Sequence, residues 1–288
     1  MRSRIPILIG IILLPYCAAA QSSSLRFPQR LEAGTAFSTP SSGSGSGTLY
    51  VVGPGGVLRR EIQLGDSIAF GAGDFPNAGH YTAILAAASS TQSSQFDVVP
   101  SKPARVSFLA KPSRLPVNRS QGISGVGYIF DRFGNLTLDP QPVSFALSDG
   151  SGRTQTQTTS SHHGVAWVRM NSAAKAGPAT FQASVGNVRE KRVVQQVPGD
   201  PCSIRITAHA SGNRVVLQTD PIRDCSGNAV PDGTIVSFTE TYLGSQSTVD
   251  VPIKRDVART ELPSRNGAVI SVASGIVMGN EIHWKGGL

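Results

Sequence analysis

Histidine side chains are the first candidates for chemistry in this chain. It has five histidines, and only His162 and His163 are adjacent, in a Thr/Ser-rich stretch just before a predicted strand. Two such side chains could ligate a metal, but neighbouring strand residues point to opposite faces and chelate poorly. We therefore favour surface loop histidines over a metal site, and the sequence predicts neither a metal nor a cofactor.

Carboxylates beside two turns are the second candidates. Asp131, Asn135 and Asp139 in one stretch, and Asp224 and Asp232 in another, could offer oxygens to calcium. Calcium takes about six to eight oxygen ligands, and these stretches have too few carboxylates. We favour a structural turn, in which Asp or Asn bonds the nearby backbone and Gly supplies a positive φ.

Cysteines are the third candidates. Cys17 lies in a predicted export leader, which leaves Cys202 and Cys225. In an exported protein such a pair is first interpreted as a disulfide, and no histidine lies at ligand spacing to either cysteine. A hairpin that turns near Gly212 would bring the two together, and the bridge would contribute on the order of 3 kcal/mol.

Motifs of catalysis are missing from the sequence. There is no Gly-x-Ser-x-Gly elbow, no Gly-x-x-x-x-Gly-Lys phosphate loop and no His-Glu-x-x-His zinc helix. The net charge of +8 is mild for 288 residues, and no dense Lys/Arg block is interleaved with aromatics. We therefore expect neither an enzyme nor a nucleic-acid-binding protein.

The two turns belong to a repeat. One copy has Asp131, Gly134, Asn135 and Phe145, and the same residue types recur 93 positions later. The second copy consists of Asp224, Gly227, Asn228 and Phe238. This period exceeds the roughly 20–50 residues of solenoid or propeller units and matches an immunoglobulin-like (Ig-like) sandwich of about 100 residues. We predict that the turns are equivalent and that both Phe side chains are buried between sheets.

Short alternating runs between Gly- and Pro-rich turns predict an all-β chain of tandem Ig-like β-sandwich domains. Val126, Tyr128 and Phe130 alternate with polar or exposed positions in one such run. We expect Trp167 to pack between sheets, whereas Trp284 fits either a core or an exposed contact. Tyr81 fits either a tyrosine corner or an ordinary half-buried strand position.

The predicted organisation begins with an export signal over residues 1–20, which ends in three alanines before Gln21. Its apolar run is shorter than the ~20 residues that cross a bilayer, so we expect no transmembrane segment after cleavage. Tyr16 before Cys17 argues against a lipid anchor. The remaining parts are a Ser/Gly-rich linker with at most one strand (21–47), a small β-sandwich-like domain (48–100), an Ig-like domain (101–199) and an Ig-like domain with the disulfide (200–288).

The densest charge cluster is Arg189-Glu190-Lys191-Arg192. It could meet anionic glycans or lipid headgroups. We favour charged gatekeepers on an exposed strand, where they discourage edge-to-edge pairing.

Several segments, in their order along the chain, resemble the bacterial Ig-like domains of the invasin/intimin type (group 1). They are 126–135, 143–145, 164–168 and 177–186, with a second set over 217–239. The resemblance covers roughly 100–288, and the sequence departs from the pattern in its final strands. It implies tandem copies of the fold and an extracytoplasmic setting, and adhesion only by association.

Together these observations predict an exported, non-enzymatic module with a structural, adhesive or envelope-associated role. The alternative is a carbohydrate- or envelope-binding subunit of a larger exported assembly. We expect a secreted, periplasmic or envelope-associated protein whose partner is a cell-envelope protein or a polysaccharide. The sequence does not assign an oligomeric state.

Overall fold

The computed structural model describes residues 24–88 and 90–286, and every regular element in these ranges is a β-strand. The all-β prediction is therefore confirmed. The chain divides into two compact units between Ser101 and Lys102. The predicted leader, its cleavage site and Cys17 lie outside the described residues. Within the described ranges there is no helix with the length and apolarity needed to cross a membrane.

The first unit is a two-sheet sandwich. Its strands are β1 (Ser24–Leu25), β2 (Arg30–Glu32), β3 (Phe37–Ser42), β4 (Ser46–Gly53), β5 (Gly56–Gln63), β6 (Ser67–Phe70), β7 (Gly79–Ala87) and β8 (Ser90–Val99). One sheet has the order β1-β3-β6 and the other β2-β8-β7-β4-β5. Neighbours are antiparallel, except that β2 runs parallel to β8.

The structure differs from the linker predicted over 21–47. Strands β1 to β3 and the start of β4 come from this range. Thr39 and Ser41 point into the sandwich, and the Ser41 hydroxyl donates to the Asp66 carbonyl at 2.8 Å. Because the inward positions of β3 carry small polar residues, the apolar alternation that marks a half-buried strand is missing from the sequence.

Aromatic rings fill the core of this first unit. Tyr81, near the start of β7, is buried and stacks on Phe96, with ring centroids 5.3 Å apart. Its hydroxyl donates to the Asn77 carbonyl at 2.8 Å, which is the bond of a tyrosine corner. Burial raises the pKa of this phenol. The other rings of the cluster are Phe27, Phe37, Phe70 and Phe75.

The second unit begins with what we call the middle sandwich. Its strands are β9 (Arg105–Lys111), β10 (Arg114–Pro116), β11 (Ile123–Phe130), β12 (Pro142–Ser148), β13 (Thr154–Ser160), β14 (Val165–Met170), β15 (Gly177–Val185) and β16 (Val188–Val197). The orders are β10-β16-β15-β12-β13 and β14-β11-β9, so β13 and β14 are edge strands. As in the first unit, one pair is parallel, here β10 with β16.

Glycines decide which face of β11 is buried. Gly125 and Gly127 point inward, where a Cβ on Gly125 would lie 2.7 Å from the Phe181 ring. The larger residues that follow each glycine, Val126 and Tyr128, therefore face outward and are only partly buried. Hydrophobic alternation in the sequence predicts that the side with the larger side chains is buried, and for β11 this prediction is wrong.

The last sandwich completes the second unit. Its strands are β17 (Ile206–Ser211), β18 (Arg214–Thr219), β19 (Ile235–Tyr242), β20 (Ser245–Pro252), β21 (Arg259–Pro263), β22 (Val269–Ser274), β23 (Val277–Met278) and β24 (Ile282–His283). One sheet has the order β17-β18-β21. The other runs β20-β19-β22-β23, and β24 also pairs with β22. The final strands that the sequence left unassigned are thus two short strands that pair in succession with β22.

Each sandwich of the second unit has its own apolar core. Phe145 on β12 and Phe238 on β19 are both 0% exposed and occupy matching central strands. Trp284 packs against the last core, and its indole N–H donates to the Ser264 hydroxyl at 2.9 Å. Of the two environments predicted for Trp284, a core or an exposed contact, the structure therefore shows the core.

Candidate functional site

The first Asp-Gly-Asn turn closes on its own aspartate. The Asp131 Oδ1 atom accepts from the backbone N–H groups of Phe133 and Asn135, both at 2.9 Å. The Asn135 amide donates to Oδ2 at 2.8 Å. Gly134 has φ of 90°, a left-handed conformation that glycine adopts without strain. The carboxylate thus replaces a missing strand partner for the backbone of the turn.

The second turn has the same geometry. The Asp224 Oδ1 atom accepts from the backbone N–H groups of Ser226 at 2.8 Å and Asn228 at 2.9 Å, and Gly227 has φ of 79°. Burial raises the pKa of the Asp224 carboxyl. Hydrogen bonds from Gly199, Asn228 and Ser226 outweigh this effect and hold the pKa below its ordinary value.

The oxygens of these turns are engaged by N–H donors, and the more distant carboxylates do not join them. Asp139 is exposed, and Asp232 accepts from the Arg255 N–H at 2.9 Å in another loop. Among residues 24–88 and 90–286, no three His, Cys, Asp or Glu side chains are grouped as metal ligands would be. The observed contacts are those of a structural turn.

His162 and His163 lie in the turn between β13 and β14. The His162 N–H donates to the Val165 carbonyl at 2.8 Å, and His163 has φ of 47°. Both imidazoles are exposed, with ring centroids 6.2 Å apart and planes tilted by 56°. They are loop histidines in the connection between the edge strands of the two sheets.

The second turn also joins the last sandwich to the middle one. The Asn228 amide donates to the Ala174 carbonyl at 2.8 Å, and its Oδ1 atom accepts from the Ala176 N–H at 2.9 Å. Asp224 Oδ2 accepts from Gly199 N–H at 2.9 Å, in the segment that links the two sandwiches. The Asn118 side-chain amide also donates to the Ser226 hydroxyl oxygen. We call this set of contacts the joint.

The disulfide lies beside the joint. Cys202 and Cys225 are bonded, with Cα atoms 4.6 Å apart, and Cys225 is itself part of the second turn. The Cys202 N–H donates to the Arg223 carbonyl at 2.9 Å. The bridge therefore ties the start of the last sandwich to the turn that contacts the middle one.

Trp167 does not pack between sheets, as the sequence predicts, but is 67% exposed. Its strand buries Ala166 and Val168, so the indole must point outward. Trp167 lies opposite Val126 on β11, which in turn lies opposite Leu109 on β9. The three form an apolar row across the outside of the β14-β11-β9 sheet.

The neighbouring row on the same outer face is cationic. Arg169 lies opposite Ser124, which lies opposite Lys111. On the other side the Arg105 guanidinium sits over the Phe130 ring, 4.8 Å from its centroid. The other outward residues of these strands are Ser107, Tyr128 and Val165. None of these positions carries a carboxylate. We call the outer side of the β14-β11-β9 sheet the tryptophan face.

The 189–192 cluster lies on β16, beside the β9 edge of the β14-β11-β9 sheet and at the opposite edge from Trp167. The Glu190 carboxylate accepts from the Phe108 N–H on β9 at 2.9 Å and pairs with Arg192 at 2.5 Å. Glu190 thus satisfies a backbone donor at the open edge of β9. This contact favours the gatekeeper interpretation, because a covered edge cannot pair with another strand.

No family model and no curated protein matches this sequence. Solved structures do share its fold. The Escherichia coli adhesin FdeC matches with 17% identity and a TM-score of 0.57, over 91% of this chain and 94% of that one. Yersinia pseudotuberculosis InvD matches with 12% identity and a TM-score of 0.51, over 89% and 94%.

Invasin, described as a bacterial integrin-binding protein, is also similar, with 12% identity and a TM-score of 0.51. The match covers 90% of this chain and 58% of the invasin structure. At these identities the likeness establishes the fold. This chain therefore has the tandem Ig-like architecture of invasin/intimin-type proteins, and the predicted resemblance is confirmed.

Proposed function

We propose that this protein is an exported, non-enzymatic adhesive module whose sandwiches act as a stiff support for a binding surface. The contacts of Asn228 carry the proposal most directly. Its amide bonds the loop of the middle sandwich at Ala174 and Ala176 while its own turn belongs to the last sandwich. A link fixed at several points resists bending, whereas a flexible linker would not hold a surface away from its anchor.

Export is supported by the disulfide and by the predicted leader. Disulfides persist in oxidising compartments outside the cytoplasm. Cys202 and Cys225 are bonded to each other, and such a setting would preserve this bond. The solved structures of similar fold include bacterial adhesins, which adds support for a cell-surface or secreted role.

A non-enzymatic role is supported by how the polar residues are used. The aspartates of the repeat accept backbone hydrogen bonds in turns, and the adjacent histidines lie in an exposed loop between the two sheets. Neither set places a nucleophile beside a general base, which is the arrangement that covalent catalysis uses.

The second candidate function, a carbohydrate- or envelope-binding subunit, is favoured by the tryptophan face. An exposed indole in an apolar row is the type of surface that marks a binding site. The two candidates are compatible, since an adhesive module needs a surface that recognises its target.

The proposal is tested by following the full chain from export to attachment. We expect the protein, expressed with its own leader in a Gram-negative host, to leave the cytoplasm with Cys202 and Cys225 oxidised. Beads coated with the mature protein should attach to epithelial cells or to isolated bacterial envelopes. Beads coated with serum albumin are the control. Retention in the cytoplasm with free thiols, or attachment no better than the control to either target, would contradict the proposal.

A further inference from the structure

We infer that the groove beside Trp167 binds a carboxylated oligosaccharide, with the indole as the stacking platform and Arg169 as the partner of the carboxylate. This inference rests on the proposed adhesive function and specifies its ligand. It concerns the middle sandwich alone.

The groove lies between β13 and β14, which are edge strands of the two sheets of the middle sandwich. Strand β13 ends one sheet and β14 ends the other, so neither has a neighbour on this side. Between them is a groove of about 630 Å³, lined by Gln157 and Thr159 from β13 and by Trp167 and Arg169 from β14. Its size is within the usual range for small-molecule sites.

Trp167 supplies a flat apolar surface at the rim of this groove. A pyranose ring has one face made largely of C–H groups, and burying that face on an indole removes apolar area from water. Trp167 lies opposite Val126 on the neighbouring strand, and an indole side chain has only two rotatable bonds, so little side-chain freedom is lost when a sugar stacks on it.

The opposite wall offers groups suited to sugar hydroxyls. The Gln157 amide has donors and an acceptor in one plane, and the Thr159 hydroxyl can play either role. Within the described residues, neither side chain makes a hydrogen bond to another part of the protein, so both remain available. Gln121 brings a second amide to the groove from the loop before β11.

The charge of the groove selects an acidic sugar over a neutral one. Its lining includes Arg169 and His162 but no aspartate or glutamate, and Lys111 lies in the same cross-strand row as Arg169. A guanidinium presents two parallel N–H donors that match the two oxygens of a carboxylate. A nearby carboxylate would compete for Arg169, and none of the outward positions on the tryptophan face carries one.

An anionic lipid surface would use the same charges but not the same shape. Membrane binding favours protruding apolar side chains and a ring of cations, whereas here the indole borders a groove walled by amides and a hydroxyl. We therefore assign the surface to a soluble polyanion of sugars and treat vesicle binding as an outcome of the test.

The test uses the fluorescence of Trp167 in the full mature chain. The sequence has two tryptophans, so Trp284→Phe leaves Trp167 as the only indole. We expect a hyaluronan hexasaccharide, which carries glucuronate carboxylates, to shift this emission saturably, and neutral chitohexaose to bind at least about tenfold more weakly. Arg169→Gln should weaken hyaluronan binding about tenfold, as the loss of a charge-assisted bond does, and should reduce the preference over chitohexaose.

Matched variants separate the site from the fold. Trp167→Ala, measured by calorimetry against hyaluronan hexasaccharide, should abolish binding while leaving the far-UV spectrum and melting temperature nearly unchanged, because the residue is exposed. Val193→Ala, which removes an exposed apolar side chain from the opposite sheet, should bind like the parent chain.

The inference fails if the hexasaccharide does not bind, if Trp167→Ala binds it equally well, or if chitohexaose is preferred. It also fails if phosphatidylglycerol vesicles bind through Trp167 and the sugar does not. In each case the coated beads can still attach to cells or envelopes, so the adhesive function stands or falls on its own assay.

Discussion

The middle and last sandwiches are built on one repeat and differ in what each adds to it. Both have the Asp-Gly-Asn turn and a fully buried Phe, at Phe145 and Phe238. The middle copy adds the tryptophan face, whereas the last adds the disulfide. The shared residues therefore form the scaffold. The middle sandwich adds a surface for binding, and the last adds the bond beside the joint between the two sandwiches.

The outer faces of the two three-stranded sheets make this contrast clear. In the last sandwich the outward residues include His209, Val216 and Glu261 in one row. Glu261 pairs with Arg214 at 3.8 Å, so a cation on this face already has a carboxylate partner. This face of the last sandwich has no counterpart of the exposed indole. Its paired charges are typical of a solvated surface without a binding role.

The cores differ at one position of the repeat. Leu147 and Glu240 both lie two residues beyond the buried Phe, and both are almost fully buried. One Glu240 oxygen accepts from Arg265 at 3.2 Å, and the other has no hydrogen-bond partner among the described residues. A buried ion pair contributes little stability compared with an apolar residue of similar size.

The largest expected effects come from the shared Phe residues. Phe145→Ala and Phe238→Ala should each lower the free energy of unfolding by roughly 3–5 kcal/mol, the usual cost of removing a buried ring. Because each sandwich has its own core, calorimetry of the full chain should show each change mainly in its own transition. Loss of all transitions together, or of none, would refute the picture of separate cores.

Exchanging the residues at the differing core position should give opposite signs. Leu147→Glu places an unpaired carboxylate in the middle core and should cost about 3–5 kcal/mol. Glu240→Leu should be neutral or stabilising by about 1–2 kcal/mol, since it removes a poorly paired buried carboxylate. Urea unfolding of both variants measures the difference, and a destabilised Glu240→Leu variant would show that the ion pair is needed.

Loss of the disulfide should affect the last sandwich alone. The bond spans 23 residues, and its removal by the Cys202→Ala, Cys225→Ala double change should cost about 3 kcal/mol. The transition of the middle sandwich, which has no cysteine, serves as the internal control in the same scan. An unchanged last transition would mean that the bridge does not constrain its unfolded chain.

The glycines of the two turns should give smaller and equal effects. Gly134→Val and Gly227→Val force a β-branched residue to positive φ, which costs about 1–3 kcal/mol, although neither site is sterically crowded. Gly150→Val is the control, because Gly150 lies in a turn of the middle sandwich without a positive φ. Chemical denaturation that ranks Gly150→Val with the other two would contradict the requirement for left-handed backbone.

The sequence predicted the features that repeat. It did not predict which face of a strand is buried where the inward residues are glycines or small polar residues. The 93-residue spacing indicated the turns and the central Phe residues, because a turn that needs Asp and Gly and a core that needs Phe restrict residue type. The tryptophan face was missed because Gly125 and Gly127 occupy the buried side of β11. Strand β3 was missed because polar Thr39 and Ser41 face inward.

The joint could not be predicted from residue types. Asn228 and Asn135 read alike in the sequence, and the contacts of Asn228 with Ala174 and Ala176 depend on how two domains pack. Glu240 likewise shows no signal, since a glutamate within an alternating strand is ordinarily assigned to the exposed face. Both features arise from tertiary contacts between segments distant in the chain.

The stiffness of the joint is the central claim, and ¹⁵N relaxation of the full mature chain tests it most directly. Rotational correlation times from amides of residues 105–197 and 206–278 should be equal in the parent protein. They should separate in Asn228→Ala, which removes the bonds to Ala174 and Ala176. Asn213→Ala, in an exposed turn of the last sandwich, should leave them equal. Unequal correlation times in the parent chain, or equal ones in Asn228→Ala, would contradict the account.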